Sequence, residues 1–123
     1  MEKAVLEVTS NSWEEEVSKE DKVVIAMFYM VQCPHCAELK PYFEQFALEF
    51  SKDMKFVRID VLNNMDIGSR YMVTAAPTFV VFCHGDSVRF QAGAPGPGEL
   101  REMIVDVIKN GQLCLDNTTP MYG

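Results

Sequence analysis

Two cysteines separated by two residues, Cys33 and Cys36, are the feature of the chain best suited to chemistry. A thiolate attacks a disulfide to form a mixed disulfide, which a second thiol nearby can then resolve. Pro34 can occupy the first position of a helix, which places Cys33 at the helix start. Unpaired N–H groups and the helix dipole there favour the charged thiolate. The spacing therefore predicts dithiol-disulfide exchange, with Cys33 as the nucleophile and Cys36 as the resolving thiol.

His35 lies between the two cysteines and could tune them. When protonated, or as a hydrogen-bond donor, it would stabilise the Cys33 thiolate and make the pair more oxidising. The alternative is that His35 is an exposed residue at a helix start with no such role. His84 is interpreted as a plain turn residue.

A zinc site is the main alternative use of two cysteines at this spacing. Such a site needs further ligands, and Cys83, His84 and Cys114 do not form a second motif with ligand spacing. We therefore predict no metal and no other cofactor. Cys83 and Cys114 are interpreted as buried or semi-buried small apolar residues, with a regulatory thiol left open.

The elements around the cysteines follow from hydrophobic patterning. Lys22 to Val31 is a continuous run rich in Val, Ile, Phe and Tyr, typical of a strand buried on both faces at the centre of a sheet. Beyond the cysteines, apolar residues recur at helical spacing from Leu39 to Phe50, and Pro41 should kink that long helix. A strand at Phe56 to Val61 and a short helix capped by Asn63 and ending near Tyr71 should follow. This order favours parallel strands.

The rest of the chain completes one domain. Ser10 to Ser12 should cap a short first helix that ends near Lys19. Two strands, Thr78 to Cys83 and Ser87 to Gln91, should form a hairpin, and a Pro- and Gly-rich break at Ala94 to Gly98 precedes a last amphipathic helix. We predict a domain over residues 1–114 and a polar tail over residues 115–123.

Charge and hydropathy limit the classes of partner. A formal net charge of -7 disfavours nucleic acid and anionic membrane surfaces. The longest apolar run is half the length of a membrane span, and the start of the chain lacks the pattern of a secretory signal. We therefore expect a cytoplasmic protein, with a monomer as the default state.

Taken together, these landmarks resemble the thioredoxin superfamily over nearly the whole chain. The strand leading into Cys33-Pro34-His35-Cys36, Pro41, the segment Ala76-Pro77-Thr78-Phe79 and Gly93 fall at the family's order and spacing. The resemblance implies an α/β thioredoxin fold, a central mixed sheet flanked by helices on both faces. It also implies a cis Pro77 beside the cysteines, with Ala76 presenting its backbone to a substrate strand.

The chain departs from the thioredoxin pattern in two places. Thioredoxins have a buried Asp six residues before the first cysteine, where this chain has Met27, and a nearby Lys where it has Phe56. The CPHC segment resembles that of strongly oxidising periplasmic enzymes, but the chain is too short to hold their helical insertion. The departures favour a more oxidising pair, whereas the expected compartment favours reductase or isomerase-like exchange.

Dithiol-disulfide exchange with protein substrates, and recycling by an unidentified reductase or oxidant, is the function that these features predict. One alternative is a glutathione-dependent glutaredoxin, which shares the Cys-Pro-x-Cys pattern, although Gly-Gly and an acidic pair do not follow Pro77 here. A second alternative is a non-catalytic binding module with the same fold, in which the cysteines are incidental.

Overall fold

The computed structural model describes residues 4–110 of the 123-residue chain. Five strands alternate with helices along these residues. The strands are β1 (Val5–Glu7), β2 (Val23–Tyr29), β3 (Met54–Asp60), β4 (Thr78–Cys83) and β5 (Asp86–Ala92). A short π-helix spans Glu14–Ser18, and three α-helices follow as α1 (Pro34–Glu49), α2 (Met65–Arg70) and α3 (Pro97–Lys109).

The strands form one mixed sheet in the order β1-β3-β2-β4-β5. β3 is parallel to both β1 and β2, while β4 is antiparallel to β2 and β5 is antiparallel to β4. The predicted central strand therefore lies at the centre, between β3 and β4. The predicted α/β thioredoxin fold is confirmed.

One face of the sheet packs against α1 and α3. Alternate residues of β2 and β4, among them Ile25 and Phe79, meet apolar residues of these helices such as Phe43 and Leu100. The ring centroid of Phe43 lies 5.2 Å from that of Phe56 and 5.6 Å from that of Phe79. This cluster holds α1, and with it the two cysteines, against the central strands.

The opposite face packs against the π-helix and α2. The intervening residues of β2 and β4, including Phe28 and Phe82, surround Trp13, which is 1% exposed. The Trp13 ring meets that of Phe82 edge-on at 5.3 Å, and its Nε1 donates a hydrogen bond to the Tyr71 hydroxyl at 3.2 Å. Both faces of β2 are thus covered, as its continuous apolar run predicts.

Several sequence predictions about local structure were wrong. The sequence patterning missed β1, which has only three residues. The N-cap residue of the π-helix is Trp13, which makes no side-chain capping hydrogen bond. Ser12 does not cap this helix, and its Oγ accepts from the Thr9 N–H at 2.9 Å. The residue capping α2 is Asn64 and not Asn63, whose side-chain amide donates to Asp60 at 2.9 Å.

The predicted hairpin and the glycine after it are confirmed. His84 and Gly85 form a two-residue loop between β4 and β5, with φ of 52° and 88°. Positive φ at both positions is the signature of a turn that matches the twist of the paired strands. Gly93, directly after β5, has a φ of 86°, a conformation that glycine adopts without strain.

α1 runs continuously from Pro34 to Glu49 through Pro41, and the bend expected there stays a prediction. α3 begins at Pro97, inside the predicted break. The boundary at residue 114 and the tail over residues 115–123 lie outside the described residues. Among residues 4–110, no helix combines the length and apolar character needed to cross a membrane.

Replacing Phe43 by Ala should lower the free energy of unfolding by about 3–5 kcal/mol, because the ring is 1% exposed and its removal leaves a cavity between α1 and the sheet. Urea denaturation would measure the change. Tyr42→Ala is the matched control, since this neighbouring ring is 44% exposed and its loss should cost less than about 1 kcal/mol. Equal losses in the two variants would contradict this account of the core.

Candidate active site

Cys33 occupies the N-cap position of α1, just beyond the end of β2. Its backbone is extended, with φ of -129° and ψ of 108°, and its Sγ accepts the backbone N–H of Cys36 at 3.2 Å. The sulfur thus takes the place of the oxygen of a helix-capping side chain. A negative charge on this sulfur would be stabilised both by the N–H and by the helix dipole.

Cys36 lies one turn into α1 and is 4% exposed. Burial, followed by the hydrogen bond with Cys33, raises the pKa of its thiol to about 12, although backbone N–H groups oppose this shift. Both cysteines are free thiols in this structure. The pair is therefore asymmetric, with Cys36 held in its protonated form at neutral pH.

The loop before β4 completes the surroundings of Cys33. The Cys33 Sγ donates to the Ala76 carbonyl at 3.6 Å, across 43 residues of sequence, and the Ala76-Pro77 peptide bond is cis. Pro77 is buried and Ala76 is half-buried. Thr78, fully buried, donates from Oγ1 to the Ala75 carbonyl at 2.7 Å and so holds the loop in place. The structure brings together Cys33, Cys36, Ala76 and Pro77.

Pro34 and His35 lie at the start of α1 and are exposed. The described partner of His35 is the carboxylate of Glu38, with Nδ1 and Oε1 3.2 Å apart, rather than either cysteine. The structure therefore places His35 beside the cysteines without a direct contact to them. Sequence reasoning missed Glu38, although its spacing of three residues from His35 on a helix predicts such a pair.

A second group that sequence reasoning missed lies between β1, β2 and β3. Arg58 Nε donates to Glu7 at 2.6 Å, and the Tyr29 hydroxyl donates to the same carboxylate at 2.8 Å. The Arg58 guanidinium also lies 5.6 Å from the centroid of the Tyr29 ring. Burial and the hydrogen bond to Glu7 raise the pKa of Tyr29 to about 12. Met27, in the position of the family's acid, is 2% exposed.

The remaining candidates lie away from the active cysteines. His84 is an exposed turn residue, as predicted. Cys83 is buried, but it is disulfide-bonded, so its interpretation as a plain apolar residue was wrong. Cys114 lies outside the described residues. Within residues 4–110, no three His, Cys, Asp or Glu side chains are grouped so as to hold a metal ion.

Comparison with known proteins agrees with this geometry. The family model for thioredoxin matches residues 4–110. A thioredoxin of Mycobacterium tuberculosis is 29% identical over 107 residues, which cover 87% of this chain and 92% of that protein. A thioredoxin of Echinococcus granulosus is 36% identical over 86 residues, 70% of this chain and 78% of that protein. A bifunctional thioredoxin reductase/thioredoxin of Mycobacterium leprae is 29% identical over 105 residues, 85% of this chain and 23% of that protein.

The fold and the paired cysteines at the start of α1 define a thiol-disulfide oxidoreductase, which agrees with the family match. The chain belongs to the thioredoxin family.

In a variant that keeps Cys36 as its only thiol, with Cys33, Cys83 and Cys114 replaced by Ser, Cys36 should stay protonated from about pH 6 to about pH 9. Burial is the largest cause of the raised pKa, and it persists without Cys33. Thiolate absorbance near 240 nm would follow the titration. The same variant unfolded in urea is the control and should titrate near the ordinary thiol value of about 8.5. A folded protein that titrates like the unfolded one would contradict the burial argument.

Proposed function

We propose that the protein reduces or rearranges disulfides of protein substrates, with Cys33 as the nucleophile and Cys36 as the resolving thiol. The Cys33 thiolate attacks one sulfur of a substrate disulfide, and the other substrate sulfur leaves as a thiolate that takes up a proton. Cys36 then loses its proton and attacks Cys33 Sγ. The second substrate thiolate leaves, so that the substrate disulfide is reduced and Cys33 and Cys36 are oxidised to a disulfide.

One observation carries this assignment of roles: Cys33 is the N-cap residue of α1, and its Sγ accepts the backbone N–H of Cys36 at 3.2 Å. The resulting stabilisation of negative charge belongs to Cys33, while Cys36 lies deeper and its thiol is held protonated by burial. A stabilised thiolate is the form that attacks, and a protonated thiol one turn away is suited to the later step. The order of the two attacks follows from this difference.

The backbone at Ala76 supports a proposal for substrate binding. The Ala76 carbonyl lies 3.6 Å from Cys33 Sγ, so an extended segment that places its sulfur against Cys33 also lies beside this backbone. Pairing through the backbone accepts many sequences, because main-chain groups are the same in every peptide. We assign Ala76 and Pro77 to holding the substrate strand.

For direction, we propose reductase or isomerase-like exchange, with recycling by a thioredoxin reductase. The Mycobacterium leprae relative is named as a reductase and a thioredoxin in one protein, which makes such a partner the natural candidate. Regeneration of a dithiol in this way belongs to a reducing compartment, so the proposal places the protein in the cytoplasm. The proposal also includes a monomeric state and a domain over residues 1–114.

Replacing Cys33 by Ser should abolish the protein's acceleration of insulin reduction by dithiothreitol and leave only the rate of dithiothreitol alone, because the attacking sulfur is gone. Cys36→Ser should instead accumulate a mixed disulfide between Cys33 and the substrate, which mass spectrometry would detect as the summed mass. The reverse pattern, with the adduct formed on Cys36, would overturn the assigned roles.

Two further results would favour one of the alternative functions over the proposed one. Faster turnover of glutathione mixed disulfides than of insulin would favour the glutaredoxin alternative. Full peptide binding by a protein with both Cys33 and Cys36 replaced by Ser, together with unchanged insulin turnover, would favour the binding module.

Pro34 and His35 are proposed to tune the pair, with His35 stabilising the Cys33 thiolate. In a background with Cys83 and Cys114 replaced by Ser, His35→Ala should make the reduction potential more negative by about 30 mV or more, because the dithiol form loses a stabilising group. Equilibration against defined thiol-disulfide buffers would measure it. His84→Ala is the control and should leave the potential unchanged. An unchanged reduction potential in His35→Ala would contradict the tuning role, and His35 would then be an exposed residue at the helix start that pairs with Glu38.

A further inference from the structure

A cavity of about 290 Å³ is lined in part by Cys36. It opens between the start of α1 and the ends of β2 and β3. The side chains that line it include Met27, Tyr29, Met30, Cys36, Lys40 and Arg58. Two of these carry a positive charge, and among the described lining residues none carries a carboxylate.

Deprotonation of Cys36 is the step that these surroundings must support. The thiol is buried, and Met27 stands where family members place an acid, so the pocket supplies no carboxylate to accept its proton. What remains available is a positive charge that stabilises the thiolate as it forms. The cavity lets a cationic side chain approach the Cys36 sulfur and lets water reach it.

The two cations differ in how far their charge is already compensated. Arg58 is bound to Glu7 at 2.6 Å and lies 3.9 Å from Glu44. Lys40, in contrast, forms no ion pair with any described residue. Lys40 follows Cys36 by four residues on α1, so the two side chains share one face of the helix. Lys40 is therefore the uncompensated cation nearest to Cys36 along the helix.

We propose that Lys40 is a positioning residue for the resolving step, in which its ammonium group stabilises the negative charge that develops on Cys36. The inference rests on the proposed function. Cys36 S–H gives its proton to water, its sulfur bonds to Cys33 Sγ, and the bond from Cys33 to the substrate sulfur breaks. The substrate leaves as a thiolate that takes up a proton, so the disulfide moves from the substrate to the protein without any other reactant.

None of the other groups considered around Cys36, namely Cys33, Tyr29, Arg58 and Glu44, supplies an unpaired positive charge. In the mixed disulfide Cys33 carries no charge, so it no longer opposes ionisation of Cys36. Tyr29, on β2, donates a hydrogen bond to Glu7 and keeps its proton, because its pKa is raised to about 12. Arg58, on β3, is compensated by Glu7, and Glu44 on α1 faces Arg58.

The test is a stopped-flow reaction of the reduced protein with 5,5′-dithiobis(2-nitrobenzoate), in a background with Cys83 and Cys114 replaced by Ser. Attack by Cys33 releases one thionitrobenzoate in a bimolecular phase, and attack by Cys36 on the resulting mixed disulfide releases the second in a first-order phase. Lys40→Met should slow the first-order phase on the order of tenfold and move its pH dependence upward, with the bimolecular phase changed less than about twofold.

Matched variants separate a charge effect from a structural one. Lys40→Arg keeps the charge and should restore the first-order rate to within about twofold of the parent. Lys52→Met removes the same charge from the turn that follows the C-terminal end of α1 and should leave both phases unchanged. An unchanged first-order pH profile in Lys40→Met would overturn the proposal, as would slowing that Lys40→Arg does not rescue.

A failure of the underlying function would look different. If Cys36→Ser in the same background kept the first-order phase, or Cys33→Ser kept the bimolecular one, the assigned cysteine roles would fall, and the inference about Lys40 with them. If both controls behave as expected and Lys40→Met does not, only the inference about Lys40 fails.

Discussion

Burial of β2 on both faces is the constraint on which the rest of the structure depends. The strand contributes alternate residues to two separate apolar clusters, so neither cluster forms unless helices cover both sides of the sheet. α1 is one of these helices, and it begins where the chain leaves β2. The place of Cys33, at the N-cap of α1 just beyond the end of the central strand, is a consequence of that packing.

The chemistry of the site follows from unequal environments within a single helical turn. Cys33 receives a backbone N–H, whereas Cys36 is enclosed and keeps its proton. Ordinary helix geometry therefore creates two thiols with different tasks from one residue type. Because Met27 supplies no acid, the proposed ionisation of Cys36 depends on the cations that line the same cavity, Lys40 and Arg58. Of these two, Arg58 is already paired with Glu7.

Much of this arrangement could be predicted from the sequence, because it depends on local patterns. The apolar run of β2, the spacing of Cys33 and Cys36, and the hairpin at His84 each leave a signature within a few residues. Contacts between distant segments leave none. The pairing of Arg58 with Glu7 joins β3 to β1, and β1 itself is too short for its alternation to be read.

Errors about helix starts have a similar cause. Ser10 was expected to cap a helix, but its N–H donates to Asn64 Oδ1 at 2.8 Å, 54 residues away. A short polar side chain near a helix start has several possible partners, and tertiary contacts decide among them. The site residues at the cis Pro77 were predicted only through family resemblance, since nothing local to Ala76 shows that Cys33 lies beside it.

The 43 residues that separate Cys33 from Ala76 tie reactivity to completion of the fold. Ala76 lies just before β4, so the nucleophile and the backbone beside it meet only when β4 has paired with β2. A nascent chain that ends before β4 carries the CPHC segment but lacks the strand that places Ala76, the residue proposed to hold the substrate, beside Cys33. With the proposed mode of substrate binding, a misfolded copy would keep both cysteines but lose the backbone that aligns a substrate with Cys33.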